Sequence, residues 1–90
     1  MAIVAIKIKI MPESIDIDLS KLKIIAEEKA IELGGKISSS NEENIAFGLK
    51  ALILTIAWPE EKETGILESE LENLEGVSSA QIIDYRRAFG

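Results

Sequence analysis

The sequence lacks cysteine and histidine altogether, and both absences exclude chemistry. Without cysteine the chain can form no disulfide framework and has no thiol nucleophile. The usual zinc ligands and the commonest general base are missing as well. Carboxylates alone can hold magnesium or calcium, but no calcium-loop spacing is present. We therefore expect no catalytic residue for a covalent reaction, no metal site and no cofactor.

Aromatic residues and basic charge are also scarce. Aromatics make up 4% of the chain, and 10 basic residues face 16 acidic ones, which gives a net charge of −6. A protein that binds nucleic acid through its phosphates is normally basic, so direct nucleic-acid binding is not expected. The apolar segment from Met1 to Met11 is short and carries Lys7 and Lys9, unlike a signal peptide or a membrane span. We expect a cytoplasmic protein with no membrane contact.

Aliphatic residues are abundant, because 47% of the 90 residues are hydrophobic and few of those are aromatic. Burial of one Ile or Leu side chain contributes about 1.5–3 kcal/mol, so a core of such residues can stabilise a small domain without disulfides or structural metal ions. This length predicts one domain, spanning residues 1–90.

The stretch from Ile45 to Pro59 is the most apolar part of the chain, and we interpret it as one long strand entered through Ala46-Phe47-Gly48. From Leu49 onward both faces are apolar, which is typical of a strand in the middle of a sheet. One face carries Leu49, Ala51, Ile53 and Ala57, and the other carries Leu52, Leu54, Ile56 and Trp58. Pro59 ends the run because it has no N–H for the ladder.

The first half of the chain predicts a strand, a helix and a weak segment. Ile3 to Met11 alternates, with Lys7 and Lys9 on one face, which favours a strand with one side buried. The face predicted to be buried consists of Val4, Ile6, Ile8 and Ile10. Asp18 is a suitable N-cap for a helix that Gly34-Gly35 would end. Its apolar stripe consists of Leu19, Leu22, Ile25, Ala26, Ala30 and Leu33. Lys36 to Asn44 is polar and predicts either an edge strand or a loop.

The last third predicts a loop, a helix and a strand. Glu60 to Glu63 is charged, and a helix begins near Glu63 or Thr64. Its apolar stripe is Leu67, Leu71 and Leu74, at i, i+4 and i+7. Gly76 would end this helix, and Val77 to Arg87 would form the last strand, with Ile82, Ile83 and Tyr85 as its apolar residues.

The order strand, helix, strand, strand, helix, strand predicts an α+β fold, the ferredoxin-like split βαβ arrangement (βαββαβ). It has a four-stranded antiparallel sheet, with both helices on one face and the first and third strands at the centre. The apolar residues of the third strand would leave the uncovered face of the sheet as a candidate interaction surface, unless a long loop covers it or it forms a homodimer interface.

The residues alone leave the chemistry of binding open. Phe47 fits a core position better than a contact position, and Arg86-Arg87 suits a polar contact with carboxylates or phosphates. The paired glutamates fall on helix exteriors or in loops, without the apolar setting that acid–base catalysis needs. Base stacking on the sheet is disfavoured, because only Phe47 is available there and the net charge is negative.

Several motifs together resemble the elongation factor 1-beta family of guanine nucleotide exchange factors, in its archaeal branch. They are Met11-Pro12-Glu13-Ser14, the segment from Ile45 to Leu52, Glu75-Gly76-Val77 and Asp84-Tyr85-Arg86-Arg87. The resemblance covers essentially the whole chain, and its most specific part is Ala-Phe-Gly-Leu-Lys-Ala-Leu. It is consistent with the ferredoxin-like expectation.

The resemblance implies a role in translation elongation without covalent chemistry: promotion of GDP release from the GTPase elongation factor 1-alpha, so that GTP can rebind. In eukaryotic relatives the phenylalanine matching Phe47 docks on the GTPase domain, and a lysine that corresponds to Arg87 reaches toward the magnesium site. The implied partner-binding residues are Phe47, Gly48, Leu49, Lys50, Tyr85, Arg86 and Arg87. The implied partner is the GTPase in its GDP-bound and nucleotide-free states, and the free chain is expected to be a monomer. The alternative is a ferredoxin-like regulatory module that binds a small molecule at a homodimer interface.

Overall fold

A computed structural model describes the backbone of residues 2–89 and the side chains of residues 2–87. Its six elements follow the expected order. They are β1 (Ile3–Pro12), α1 (Leu19–Glu32), β2 (Lys36–Ala46), β3 (Leu49–Pro59), α2 (Thr64–Glu72) and β4 (Val77–Phe89). Within residues 2–89, neither helix is long and apolar enough to cross a membrane.

The four described strands form one antiparallel sheet in the order β2-β3-β1-β4. The two central strands are therefore β1 and β3, as the sequence predicts, and the ferredoxin-like α+β fold is confirmed. The pairing places Ile10 opposite Leu52 and Ile3 opposite Pro59. Since β4 also runs antiparallel to β1, the end of β4 lies beside the start of β1.

Helix α1 has well-formed caps at both ends. The side chain of Asp18 accepts a hydrogen bond from the backbone N–H of Ser20 at 2.9 Å, as expected of an N-cap. Gly34 has a φ of 111°, which places it in the left-handed region that ends helices. The predicted stripe is correct for its central residues but not for Ile25, which is about half exposed.

Helix α2 is shorter than the sequence suggests. Glu63 is its N-cap residue, but the Glu63 side chain makes no capping hydrogen bond. The helix ends at Glu72, well before Gly76, so the prediction that Gly76 ends it is wrong. Leu74 lies in the following turn, half-buried against the core. The carboxylate of Glu68 accepts a hydrogen bond from the Ile82 N–H at 2.8 Å and so links α2 to β4.

The core lies between the helices and one face of the sheet, and it is almost wholly aliphatic. Its fully buried large side chains are Val4, Ile6, Ile8 and Ile10 of β1, Leu52, Leu54, Ile56 and Trp58 of β3, and Leu67 and Leu71 of α2. All four alternating residues of β1 predicted to be buried have no exposed surface. Strand periodicity therefore located the inner face correctly.

The stretch from Ile45 to Pro59 is not one strand, which corrects the prediction. Ile45 and Ala46 belong to β2, and β3 begins at Leu49. Ala46 pairs with Leu49, so the two residues between them form the turn of a β-hairpin. The segment from Lys36 onward, expected to be a weak strand or a loop, is an edge strand that continues to Ala46.

The uncovered face of the sheet is less apolar than expected. Ala51 and Ile53 of β3 point to this face, yet they are 0% and 7% exposed. Ile53 is flanked by Lys9 of β1 and Asn41 of β2 in the register. Ile53 therefore has a polar neighbour on each adjacent strand and little surface of its own to offer. The described part of this face is therefore not the open apolar surface that a homodimer module would require.

Candidate functional site

Phe47 lies at the tip of the β2–β3 hairpin and is fully exposed, at 101% of its reference surface. Its φ is 54° and that of Gly48 is 80°, the pair of positive values typical of a type I′ turn. This turn fits the twist of the two strands it joins, and Gly48 adopts it without strain. The interpretation of Phe47 as a core residue is wrong, because the turn projects its ring away from the sheet.

The backbone of Phe47 is strained by this turn. A bulky residue in the left-handed region is uncommon, and such positions cost about 1–3 kcal/mol each. Phe47 is the only non-glycine residue with a positive φ in residues 2–89. An aromatic ring without a packing partner among residues 2–87 does not repay this strain there. Both its exposure and its backbone conformation therefore point to a contact outside the chain.

Leu49 and Lys50 lie immediately behind the tip, at the start of β3. Leu49 is half-buried, and the Lys50 ammonium lies 3.8 Å from the Glu42 carboxylate across the hairpin. Both groups of that pair are about half exposed, so the pair contributes little to stability. Lys50 therefore remains accessible to a partner that approaches the hairpin tip.

Ile15 is a residue at this end of the molecule that the sequence interpretation missed. It lies in the loop between β1 and α1 and is 66% exposed. Together with Gly48, Leu49 and Lys50 it lines an open cleft of about 270 Å³. An isoleucine between Ser14 and Asp16, outside any strand or helix, is the signal in the sequence that indicates this exposed apolar residue.

Tyr85, Arg86 and Arg87 lie near the end of β4, but their side chains do not share a face. Arg86 pairs with Ala5 on the uncovered face, whereas Tyr85 and Arg87 pair with Ile6 and Val4 on the helix side. The two arginines are therefore not a joint clamp. A bulge at Ile83 shifts the register and so decides which residues of β4 face the helices.

Each arginine has an acidic neighbour. The Arg86 Nε lies 3.0 Å from Asp84 Oδ2, and the Arg87 Nη2 donates a hydrogen bond to Glu60 Oε1 at 2.6 Å. Glu60 follows β3 and belongs to the loop before α2. The Arg87 side chain is still 63% exposed. Most of the Arg87 side chain therefore remains accessible beyond the contact with Glu60.

The structure does not bring the two groups of expected partner-binding residues together. Phe47, Gly48, Leu49 and Lys50 lie where β3 begins, whereas Arg87 lies level with Val4 and hence with Trp58, near the end of β3. At about 3.3 Å per residue, the distance from Leu49 to Trp58 along the strand is about 30 Å. A partner that contacts both groups must therefore present a long surface.

Comparison with known proteins identifies a family that fits these features. The EF-1 guanine nucleotide exchange domain matches residues 5–87 of this chain. The elongation factor 1-beta of Staphylothermus marinus is 46% identical over 84 residues, which cover 91% of this chain and 92% of that protein. Those of Methanothermobacter thermautotrophicus and Methanosarcina acetivorans are 41% and 46% identical, over 97% of this chain and 98% and 99% of theirs.

The match covers both ends of the sheet, from the hairpin tip to Arg87, and the relatives are similar along nearly their whole length. The resemblance found in the motifs around Phe47 and Arg87 is thereby confirmed. The chain belongs to the family of EF-1 guanine nucleotide exchange domains, which act in translation elongation.

Proposed function

We propose that this protein accelerates the release of GDP from elongation factor 1-alpha, so that GTP can rebind. The observation that carries the proposal is Phe47, a fully exposed aromatic held in a strained turn in a chain that belongs to an exchange-domain family. Aromatic residues that become buried when a complex forms are the commonest anchors of protein interfaces. Phe47 is the anchor, and Gly48, Leu49 and Lys50 complete the contact at that end.

Exchange of this kind needs no bond to be made or broken in the exchange factor. If the factor binds nucleotide-free GTPase more tightly than GDP-bound GTPase, it must weaken GDP binding by the same ratio. A factor that bound both states equally would shift nothing. The chain therefore acts by differential binding, as a monomer in the cytoplasm, and excess GTP sets the direction of exchange.

Arg87 acts at the other end of the sheet. Its guanidinium presents several N–H donors to carboxylate and phosphate oxygens, the ligands that magnesium also uses. Arg87 competes there with magnesium for oxygens of the nucleotide site, and Tyr85 contacts the surface beside it. Arg86 contacts a part of the GTPase that reaches around the edge strand β4 to the uncovered face. Because the hairpin tip is about 30 Å away along the sheet, Phe47 and Arg87 contact separate places on the GTPase.

The proposal is tested with purified elongation factor 1-alpha loaded with a fluorescent GDP analogue. Release of the analogue into excess unlabelled nucleotide is followed with and without this chain. We expect the release rate to rise with the concentration of the chain. No acceleration with a partner from the same organism, at concentrations up to tens of micromolar, would contradict the proposed function.

The same material distinguishes the alternative, a homodimeric module that binds a small molecule. The exchange factor should form a complex with the GTPase that excess GDP dissociates, whereas the module should be a dimer that is indifferent to guanine nucleotides. Size-exclusion chromatography with light scattering, with and without GDP, separates the two. The polar surroundings of Ile53 on the uncovered face favour the exchange factor.

A further inference from the structure

The backbone of Glu60 is hydrogen-bonded to the sheet at the end where Arg87 lies. Its backbone N–H donates a hydrogen bond to the carbonyl of Ala2 at 3.0 Å, so the start of the β3–α2 loop is fixed to the start of β1. From this fixed position the Oε1 atom accepts the hydrogen bond of the Arg87 Nη2 at 2.6 Å. The acceptor is thus carried by a restrained backbone, although the two residues lie far apart in the sequence.

The Glu60 carboxylate is partly buried rather than fully solvated. Its side chain is 31% exposed, against 63% for Arg87, and its Oε2 is buried with no hydrogen-bond partner among the described residues. Removal of Arg87 would leave a partly buried negative charge without its cation, which is unfavourable. The pair is therefore expected to persist when a partner binds.

The shape of the guanidinium allows Arg87 to keep its bond to Glu60 while it binds a partner. A guanidinium has five N–H donors in a rigid plane, and the bond to Glu60 uses Nη2. The other donors remain for oxygens of a partner. A long side chain that is already held in one orientation loses less freedom on binding than one that is free.

We infer that Glu60 is a positioning residue for Arg87: it holds the guanidinium, before and during contact, in the orientation that meets the oxygens of the GTPase nucleotide site. The identity of the partner in this inference rests on the proposed function, whereas the orientation of Arg87 in the free chain does not. Glu60 is not expected to touch the nucleotide.

The test compares Glu60→Ala with Glu61→Ala, because a glutamine at position 60 would keep an oxygen that can accept the Arg87 hydrogen bond. Both substitutions remove one carboxylate from the same loop, but Glu61 is exposed and makes no ion pair among the described residues. We expect Glu60→Ala to lower the exchange rate at limiting concentrations of the chain about threefold to tenfold, the range expected when one long side chain must be ordered on binding. Glu61→Ala should change it less than twofold.

A double-mutant cycle shows whether the effect passes through Arg87. In an Arg87→Ala background, Glu60→Ala should have little further effect, because no guanidinium is left to position. Equal losses in both backgrounds would contradict the inference. A rise in exchange in Glu60→Ala would also overturn it, because Glu60 would then restrain Arg87 instead of presenting it.

The orientation is also measured without any partner. In the wild-type chain, ¹⁵N NMR of the arginine side chains should show slowed rotation of the Arg87 guanidinium, and Glu60→Ala should release it while Glu61→Ala does not. Free rotation in the wild type would contradict the inference even if exchange is observed. Slowed rotation in a chain without exchange activity would support the positioning and contradict the proposed function, so the two failures are distinguishable.

Discussion

Phe47 and Arg87, the two residues on which the proposed exchange activity depends most, lie at opposite ends of the sheet. The hairpin places Phe47 where β3 begins, and β4 places Arg87 level with the end of β3. A separation of about 30 Å along the strands excludes a single pocket that receives both side chains. In the proposed function, the sheet therefore separates the two contacts by this length.

Replacement of Phe47 by alanine should abolish most of the exchange without unfolding the chain. The ring is fully exposed and has no role in the core, whereas an interface anchor typically contributes about 2 kcal/mol or more. We expect a loss of about 30-fold or more in the exchange rate at limiting concentrations. Ile66→Ala is the control, since Ile66 is also an exposed apolar residue but lies on α2. A Phe47→Ala chain that is unfolded by circular dichroism would mean that Phe47 supports the fold.

Replacement of Phe47 by asparagine should separate stability from activity. Asparagine tolerates the left-handed region and is the preferred first residue of a type I′ turn. We expect the free energy of unfolding to rise by about 1 kcal/mol, while exchange falls as in Phe47→Ala. Urea denaturation followed by the fluorescence of Trp58, which is buried, measures the stability. A stability unchanged or lowered relative to the wild type would show that the turn is not strained.

The two ends of the sheet should contribute independently to exchange. Mutations that are far apart and share no partner usually have additive free energies, within about 0.5 kcal/mol. The combination of Phe47→Ala with Arg87→Ala should therefore multiply the two single losses, to within about a factor of two. Fluorescent-GDP release by the two single variants and the double variant measures this. If the double variant exchanges as fast as the slower of the two single variants, both residues act at one place.

Gly35 and Gly65 should respond in opposite directions to replacement by alanine. An added Cβ at Gly35 would lie 2.7 Å from Ile56 Cγ2 and 3.1 Å from the Trp58 ring, in the buried corner where α1 ends. We expect a loss of about 1–3 kcal/mol in the free energy of unfolding. At Gly65, in the first turn of α2, nothing lies within 4 Å of the added atom, so alanine should stabilise by about 0.5–1 kcal/mol.

Thermal unfolding of the two glycine variants, in parallel with the wild type, measures both effects. If Gly35→Ala were as stable as the wild type, the packing between α1 and β3 would be looser than the contacts indicate. Neither glycine lies in the regions assigned to the GTPase contact, so exchange per folded molecule should be unchanged in both variants.

The predictions from the sequence were correct where the signal is local and periodic. Alternation in β1 identified its buried face, and Asp18 and Gly34 marked the ends of α1. These features depend on backbone geometry that repeats every two or 3.6 residues, so they can be read within a short window. The element order then limited the topology to very few arrangements.

The hairpin was missed because its turn carries an unusual residue. Phe47-Gly48 lacks the Asn or Asp that normally indicates a type I′ turn, and the apolar residues continue on both sides of it. The turn becomes necessary only when β2 pairs with β3 and Ala46 must lie opposite Leu49. The strained conformation of Phe47 is thus imposed by strand pairing, not by local preference.

By itself, the sequence determined the order of the helices and strands, the aliphatic core and the family, because each of these depends on residue types at short spacings. Only the tertiary structure decided that Phe47 is exposed, that Arg87 rather than Arg86 lies on the helix side of the sheet, and that Arg87 meets Glu60. These relationships depend on strand register, on a bulge and on contacts between distant segments. Such features arise when the whole chain packs, since a shift of one residue in the register moves a side chain to the other face of the sheet.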